Sequence, residues 1–510
     1  MKYSYLLLTM LTACTSTVSA QQPVTTPTPE EVIITPTNRL KGKDSTLRQQ
    51  VVEWSRKELV SKDYQHVKAH PSAAWFPGAV KPGAEHITRT LHIDHKQVNK
   101  SDWAVIRKLE SGAPSEATLY TTGLYAAPGE VVEFTIPANM TNGMVTVQIG
   151  AHSDDLGYWV AGGEDWRRMP EVVKIITLKE TTTRIASPFG GLIYISTLPV
   201  VNDWSADVTI KGAITAPQFV LGKTTKEEWL QQLKNNKAPW GEMGTDRIIL
   251  TLPDSVMQQV TDPEKVMKIW DRIIGGIMEL AQYPQPVYRP QRMVIDEHMG
   301  GGYMHSGYPI MVHHSPSTGM LSANIIVNPE KLLVPSEGGA NWGFFHEIGH
   351  NMQSSDWSFE GTGEVGCNFF ALYCFDRLTG GRNGAHEEVS NKRTMEMMQQ
   401  YFAKGADFEK WKQDPFLALI LFRQLQEGFG WEAFKTFFRN CQTLAKQDPT
   451  GSYAKTEEQK RDLWAREFSK IAGRNLAPFF EYWGVPISSS VKEELKSLPG
   501  WMPYNVPPLP

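Results

Sequence analysis

Cysteine is scarce in this 510-residue chain, with 4 residues, at positions 14, 367, 374 and 441. So few exclude a disulfide-framework protein. Cys367 and Cys374 are seven positions apart in a stretch of helical pattern. That is about 10 Å along a helix axis, too far for a direct bridge. Cys441 could pair with one of them, but buried free thiols are the expectation. Long apolar runs are also missing, and none reaches the roughly 18 residues of a membrane-spanning helix. Charge is balanced, with 51 Lys and Arg against 55 Asp and Glu and a formal net charge of -4. No whole-chain field therefore favours nucleic acid. An aromatic content of 10% excludes disorder throughout. Trp is plentiful at 16 residues. Its ring suits cores as well as sugar and peptide platforms.

The N-terminus pairs Lys2 with an apolar stretch from Tyr3 to about Ala13 and ends Val18-Ser19-Ala20. This pattern predicts a signal peptide over 1–20, with cleavage after Ala20. Leu11-Thr12-Ala13-Cys14 also resembles a lipobox, so a lipid anchor on Cys14 is the alternative. Either reading predicts export: secreted, periplasmic, or held at a bacterial cell surface.

Residues 21–43 are rich in Pro and Thr and read as an extended linker. Residues 44–114 read as an N-terminal helical segment, with Leu47, Val51, Val52, Trp54 and Leu59 at helical spacing. From 115 to 220, short β-rich runs such as Val131–Ile136, Val145–Ile149 and Leu192–Ile195 alternate with Gly and Pro turns. That rhythm predicts a β-sandwich. Residues 221–490 are mixed and then mostly helical, with apolar residues three and four apart in Val266–Leu280, Val365–Leu378, Phe416–Gln426 and Trp464–Ala472. Residues 491–510 read as a C-terminal tail. The fold class expected is α+β and multidomain.

Phe344-Phe345-His346-Glu347-Ile348-Gly349-His350-Asn351 holds an H-E-x-x-H motif. Four residues span just over one helical turn, so His346 and His350 share a face and can grip one ion. Neutral imidazoles suit Zn²⁺. Glu347 is no ligand in this geometry; it is placed as general base to take a proton from the attacking water. A catalytic zinc needs a third protein ligand. Glu360 and Glu364 are the candidates. Gly361-Thr362-Gly363 reads as a turn with Thr362 as an N-cap. Glu364 then falls in the first turn of a helix, and Asn368 lies on the same face, able to hydrogen-bond a ligand imidazole. Glu364 is the assignment, with Glu360 left in the preceding loop.

The motif, with a Glu ligand downstream, resembles the gluzincin metallopeptidases. More narrowly, the chain resembles the enhancin-like, mucin-degrading metallopeptidase family (peptidase family M-sixty). The segments carrying this are Trp342–Asn351, Gly363–Asn368, Gly302–Ile310, Thr122–Glu130, Pro188–Tyr194 and Tyr482–Gly484. The resemblance implies His346, His350 and Glu364 as ligands of one catalytic Zn²⁺, with Glu347 as base, in a mostly helical gluzincin domain behind a β-sandwich. It further implies cleavage of mucin-type O-glycoproteins, N-terminal to a glycosylated Ser or Thr. Where thermolysin-type gluzincins carry an Asp four residues after the ligand Glu, this chain has Asn368, which brings no charge.

Tyr303, His305 and Tyr308 are candidates for an oxyanion donor or a substrate contact, as such a site needs a donor at the scissile carbonyl. His313 and His314 lie nearby. Asp154-Asp155 and Glu164-Asp165 read as solvated loops rather than Ca²⁺ sites. Trp75, Trp159, Trp166, Trp204, Trp240 and Trp342 could stack on sugars, though core packing is the expectation for most. Two other functions remain open at this point: a glycan-binding adhesin on a peptidase-like scaffold, and a metalloprotease indifferent to glycans.

Overall fold

The computed structural model describes residues 27–109, 117–160, 163–334, 340–380 and 385–504. The expected signal peptide and Cys14 lie outside these residues.

The first sheet has eight antiparallel strands: β1 (His86–His95), β2 (Thr118–Ala126), β3 (Val131–Thr135), β4 (Thr146–Ile149), β5 (Lys174–Thr177), β6 (Thr182–Ala186), β7 (Gly191–Thr197) and β8 (Trp204–Thr215). Its order is β5-β4-β7-β2-β8-β3-β6, with β1 paired to β8. Period-two burial runs along β8, where Trp204, Ala206, Val208 and Ile210 face inward and Ser205, Asp207 and Lys211 face out. At Gly123, with φ +65°, β2 shifts register between Thr121 and Tyr125. This bulge bends the strand, so that β2 joins β7 to β8. The two halves then face one core, with Val132, Phe134 and Ile210 from one and Val147, Ile149 and Ile195 from the other. The halves belong to one hydrogen-bonded sheet.

The second sheet, most of it inside the region read as mixed and then mostly helical, is mixed and seven-stranded. It comprises β9 (Gln218–Val220), β10 (Trp240–Gly244), β11 (Ile248–Pro253), β12 (Gln291–Asp296), β13 (Met304–His305), β14 (Ile310–Ser315) and β15 (Met320–Leu321). Strand β12 runs parallel to both β11 and β14 and is buried along its whole length. Its sequence, Gln-Arg-Met-Val-Ile-Asp, hides this because polar residues occupy core positions. Each is satisfied. Arg292 Nη1 donates to Glu242 Oε1 at 2.8 Å, and Arg168 grips Asp296 with contacts of 2.8 and 2.9 Å. Both pairs reach into the first unit. Tyr194 and Thr121 hydroxyls donate to Glu242, and Arg168 sits in the loop between β4 and β5. Buried charges thus lock the two sheets together, and cutting either pair would leave an unpaired buried charge.

Helices pack on the second sheet. The longest among those described is Pro415–Gln447, interrupted at Gly430, where φ is 76°. The two that matter for the site are the motif helix, Ala340–His350, and the ligand helix, Gly363–Thr379. Among the described residues no helix is long and apolar enough to cross a membrane.

Three segments differ from expectation. From Thr28 on, the presumed linker is docked: Val32, Ile34 and Leu40 are buried, and Leu40 pairs with Trp166. The segment expected to be helical holds Ser45–Val60 and Lys100–Leu109 but also β1, whose long pairing with β8 overrides local preference. The presumed tail contributes buried Val491 and Leu495, and the Trp501 ring lies 4.7 Å from Phe429.

Candidate metal centre

His346 and His350 sit one turn apart on the motif helix, and their Nε2 atoms are 3.1 Å apart. The Oε2 of Glu364 lies 3.1 Å from the first and 3.5 Å from the second. Ligands of a tetrahedral zinc at about 2.0–2.1 Å are separated by about 3.3–3.4 Å. The three donors therefore fit one Zn²⁺. Among the described residues they form the one group of His, Cys, Asp and Glu side chains able to hold a metal, together with Cys367.

The ligand helix approaches because small residues line the crossing. A Cβ on Gly349 would meet the Cys367 carbonyl oxygen at 2.8 Å, and one on Gly366 would meet Gln353 Nε2 at 2.8 Å. Gln353 in turn donates to the Gly363 carbonyl at 2.9 Å. Thr362 does not cap the helix as expected. Its hydroxyl donates to the Phe359 carbonyl, and the capping position makes no side-chain bond.

Asn368 lies where the sequence placed it. Its Oδ1 accepts from His346 Nδ1 at 2.7 Å and from Trp342 Nε1 at 2.8 Å. The first bond fixes the His346 tautomer and leaves Nε2 for an ion. The second holds the amide against a buried ring stacked on Phe375. Glu360 is elsewhere, paired with Arg461.

Glu347 is buried, and burial pushes its carboxyl above the usual range despite the opposing charges of His346 and His350. Hydrogen bonds from both histidines hold Glu364 well below that range. Cys367 is a buried thiol 3.4 Å from His346 Nε2. Burial raises its pKa far above the ordinary value, and the thiol donates to the Glu364 carbonyl.

Asn351, the residue after the motif, clamps the turn that follows β13. Its Oδ1 accepts from Gly307 N at 3.0 Å, and its Nδ2 donates to Gly307 O at 2.9 Å and to Gln291 at 2.8 Å. Strand β13 is thereby held over the motif helix, with Met304 Sδ 3.1 Å from where a Gly343 Cβ would sit.

The three oxyanion candidates diverge. Tyr303 OH meets Ser322 Oγ at 2.5 Å, beside β14. Tyr308 stacks under Arg289 at 3.6 Å, and its oxygen accepts from Arg292 Nε and Leu119 N, at the junction of the two sheets. His305 alone is coupled to Glu347 electrostatically. Both its nitrogens are engaged, Nδ1 with Ser306 O at 2.9 Å and Nε2 with Asp154 at 2.9 and 3.0 Å. Burial opposes its charge, but Asp154 outweighs that and pushes His305 up to about 9.

Asp154 is thus not a solvated loop residue: its carboxylate is taken up by His305 and the Gly300 N–H. Asp155 pairs with Arg56, and Asp165 with Lys41. His313 accepts from Arg167, and His314 accepts from the Ala323 N–H. Of the tryptophans considered as platforms, Trp166, Trp204, Trp240 and Trp342 are buried, and Trp75 is exposed.

Two histidines on an H-E-x-x-H helix, a glutamate from the next helix and a mixed sheet edged by β13 define a gluzincin-type metal centre. The chain belongs to the family described as peptidase M60, enhancin and enhancin-like, which it matches over residues 212–484. Residues 106–211 match the N-terminal domain of M60-like peptidases. It is 38% identical over 383 residues to the rat protein named TRPM8 channel-associated factor 3, covering 75% of this chain and 40% of that one. The chain thus spans about two fifths of that relative. In fold it is similar to the M60 catalytic domain of Clostridium perfringens ZmpC, solved in complex with the sialyl T antigen. The TM-score is 0.58 at 16% identity, covering 81% of this chain and 80% of that one. IMPa from Pseudomonas aeruginosa, solved in complex with an O-glycopeptide, gives a TM-score of 0.60 at 15% identity, covering 90% of this chain and 59% of that one.

Proposed function

We propose that this chain is a zinc endopeptidase that cleaves mucin-type O-glycoproteins outside the cytoplasm, N-terminal to a glycosylated Ser or Thr. The observation that carries it is the donor set, two imidazoles and a carboxylate at tetrahedral separations, with Glu347 adjacent but not part of it. When bound, Zn²⁺ polarises the scissile carbonyl and makes a nucleophilic oxygen available at neutral pH.

The chain's own residues do the rest. His346, His350 and Glu364 hold the ion, and Asn368 keeps His346 oriented toward it. Glu347 takes a proton from the attacking water and passes it to the leaving amine. Strand β13, followed by a turn that Asn351 clamps at Gly307, supplies a rim against which an extended peptide can lie. The glycoprotein preference draws support from structural neighbours solved with the sialyl T antigen and an O-glycopeptide. Export draws on the N-terminal pattern, with cleavage after Ala20 or lipidation at Cys14.

A second reading is association with a membrane-protein partner, favoured by the relative named as a channel-associated factor. One assay separates the readings. The protein is incubated with an O-glycosylated mucin and with its deglycosylated form, each with and without chelator. Chelator-sensitive cleavage of the glycosylated form alone supports the proposal. Equal cleavage of both forms means a peptidase indifferent to glycans. No cleavage of either form, with the metal loaded, leaves a binding role.

A further inference from the structure

Strands β5 and β6 are the two ends of the first sheet, yet only residues 178–181 separate them in the chain. Each pairs on one side alone, β5 with β4 and β6 with β3. A cavity of about 260 Å³ sits at the seam where the sheet stays open. The chain leaving helix Ser45–Val60 borders it at Ser61–Tyr64. We infer that this cavity binds a tetrahedral oxyanion, a sulfate or phosphate group that is either free or borne on a sugar. The cavity shares no residue with the metal centre, and the inference does not rest on the glycopeptidase reading.

Lys174, on the cavity wall, is the first argument. Strand β5 alternates buried and exposed positions, and Lys174 takes a buried one, at 2% exposure. Its ammonium has three donors. One reaches the Glu58 carbonyl at 2.8 Å, in the last turn of helix Ser45–Val60. Among the described residues the ammonium pairs with no carboxylate. A helix C-terminus offers about half a negative charge. The buried unit charge is therefore only partly answered, which is costly unless something else completes it. Burial lowers the Lys174 pKa, against the pull of Glu58 and Asp63. An oxyanion in the cavity would supply the missing charge and accept the remaining N–H groups.

The surrounding charges are the second. Lys62, Lys179 and Arg184 also line the cavity, against Asp63 and Glu180. Asp63 is drawn off by His66 at 2.8 Å, and Arg184 by Glu133 at 2.7 Å. Three lysines then face Glu180. Lysine is a point charge with rotatable donors, whereas the planar fork of arginine suits a carboxylate. With Arg184 engaged elsewhere, a tetrahedral group is the better match. Thr182 and Thr183, also on the wall, bring hydroxyl donors. Size agrees. The volume falls just below the roughly 300–1,000 Å³ of sites for drug-sized ligands, which leaves room for an anion with at most one sugar ring.

The test compares wild type with Lys174→Met, which keeps an apolar stem and removes the charge. Calorimetric titrations use inorganic sulfate, inorganic phosphate, galactose 6-sulfate and neutral galactose, all at one ionic strength set with chloride. Wild type should bind an anion and not galactose. Lys174→Met should lose about tenfold or more in affinity, the scale of a hydrogen bond to a charged group. Tighter binding of the sulfated sugar than of free sulfate supports a sugar-borne group, and the reverse supports the free anion. No binding of any anion, or equal binding by both proteins, overturns the site. Should Lys174→Met fail to fold, the exposed pair Lys62→Ala and Lys179→Ala replaces it. That double variant should weaken binding about threefold, the scale of exposed ion pairs; unchanged affinity overturns the site. Thermal melts give a second readout. Sulfate stabilises any protein by exclusion from its surface, so only the excess shift of wild type over the variant counts. An excess supports the site, and equal shifts overturn it.

Discussion

Gly349 and Cys367 cross so closely that a Cβ on the glycine would stand 2.8 Å from the cysteine's carbonyl oxygen and 2.9 Å from its Cα. This contact between the motif helix and the ligand helix brings Glu364 over the two histidines. In an isolated, exposed helix, Gly→Ala is stabilising by about 1 kcal/mol. Here the new methyl meets backbone, which cannot rotate away. Gly349→Ala should instead lower stability by about 1–3 kcal/mol, as overpacked sites do, and should weaken zinc binding. Urea titration of the metal-free protein checks the first effect and a competition titration with a chromophoric chelator the second. A gain in stability would show that the helices are free to part.

Glu347 is assigned to proton transfer and not to holding metal. Glu347→Gln keeps the shape and removes the base. Turnover should fall about 10²–10⁴-fold, with zinc content by mass spectrometry and melting temperature close to wild type. Full activity would remove the role given to Glu347. Loss of metal would make it a ligand.

Asn368 joins His346 Nδ1 to the Trp342 indole through a single oxygen. Asn368→Ala deletes that oxygen, frees the ring of His346 and leaves a buried indole N–H unpaired. Zinc affinity should drop about 10–100-fold. Asn368→Asp should restore the orientation and, by adding charge, bind zinc at least as tightly as wild type. Calorimetric titration of zinc into the three metal-free proteins gives the order. Equal affinities in all three would reduce Asn368 to a packing residue.

The candidate metal centre is legible because its geometry is local. His346 and His350 are fixed by helix pitch, and Glu364 and Asn368 by a second helix starting at a turn. What escaped depends on distant partners. Strand β12 puts Arg292 and Asp296 in the core, and nothing in the local pattern reveals that Glu242 and Arg168 wait for them. Tyr308 looked like a candidate donor beside His305, yet Arg289 and Arg292 draw it to the sheet junction. Gly349 was visible as a letter of the motif, but its reason, the Cys367 carbonyl, lies on another helix. The docked stretch before Ser45 was hidden by Pro and Thr content, which signals extension without saying what it packs on.

The Asp154–His305 pair joins the first unit to β13, and it gives stability a pH dependence of known sign. His305 is raised in the folded state to about 9, from an unfolded value near 6.5. A raised pKa means that the folded state binds the proton more tightly. The pair's contribution is therefore fully present below about pH 6.5 and is lost as pH rises through about 9. The His305 side chain is 40% exposed, so solvent screening makes the effect smaller than the shift alone suggests. Asp154→Asn removes the charge that raises the pKa and keeps an amide able to bond Gly300. The difference in urea midpoint between wild type and Asp154→Asn should be largest at pH 6 and shrink by pH 9.5. Other titrating groups cancel in that difference, because both proteins carry them. A difference that is constant across the range would mean that Asp154 holds β13 through hydrogen bonds alone, with a neutral His305.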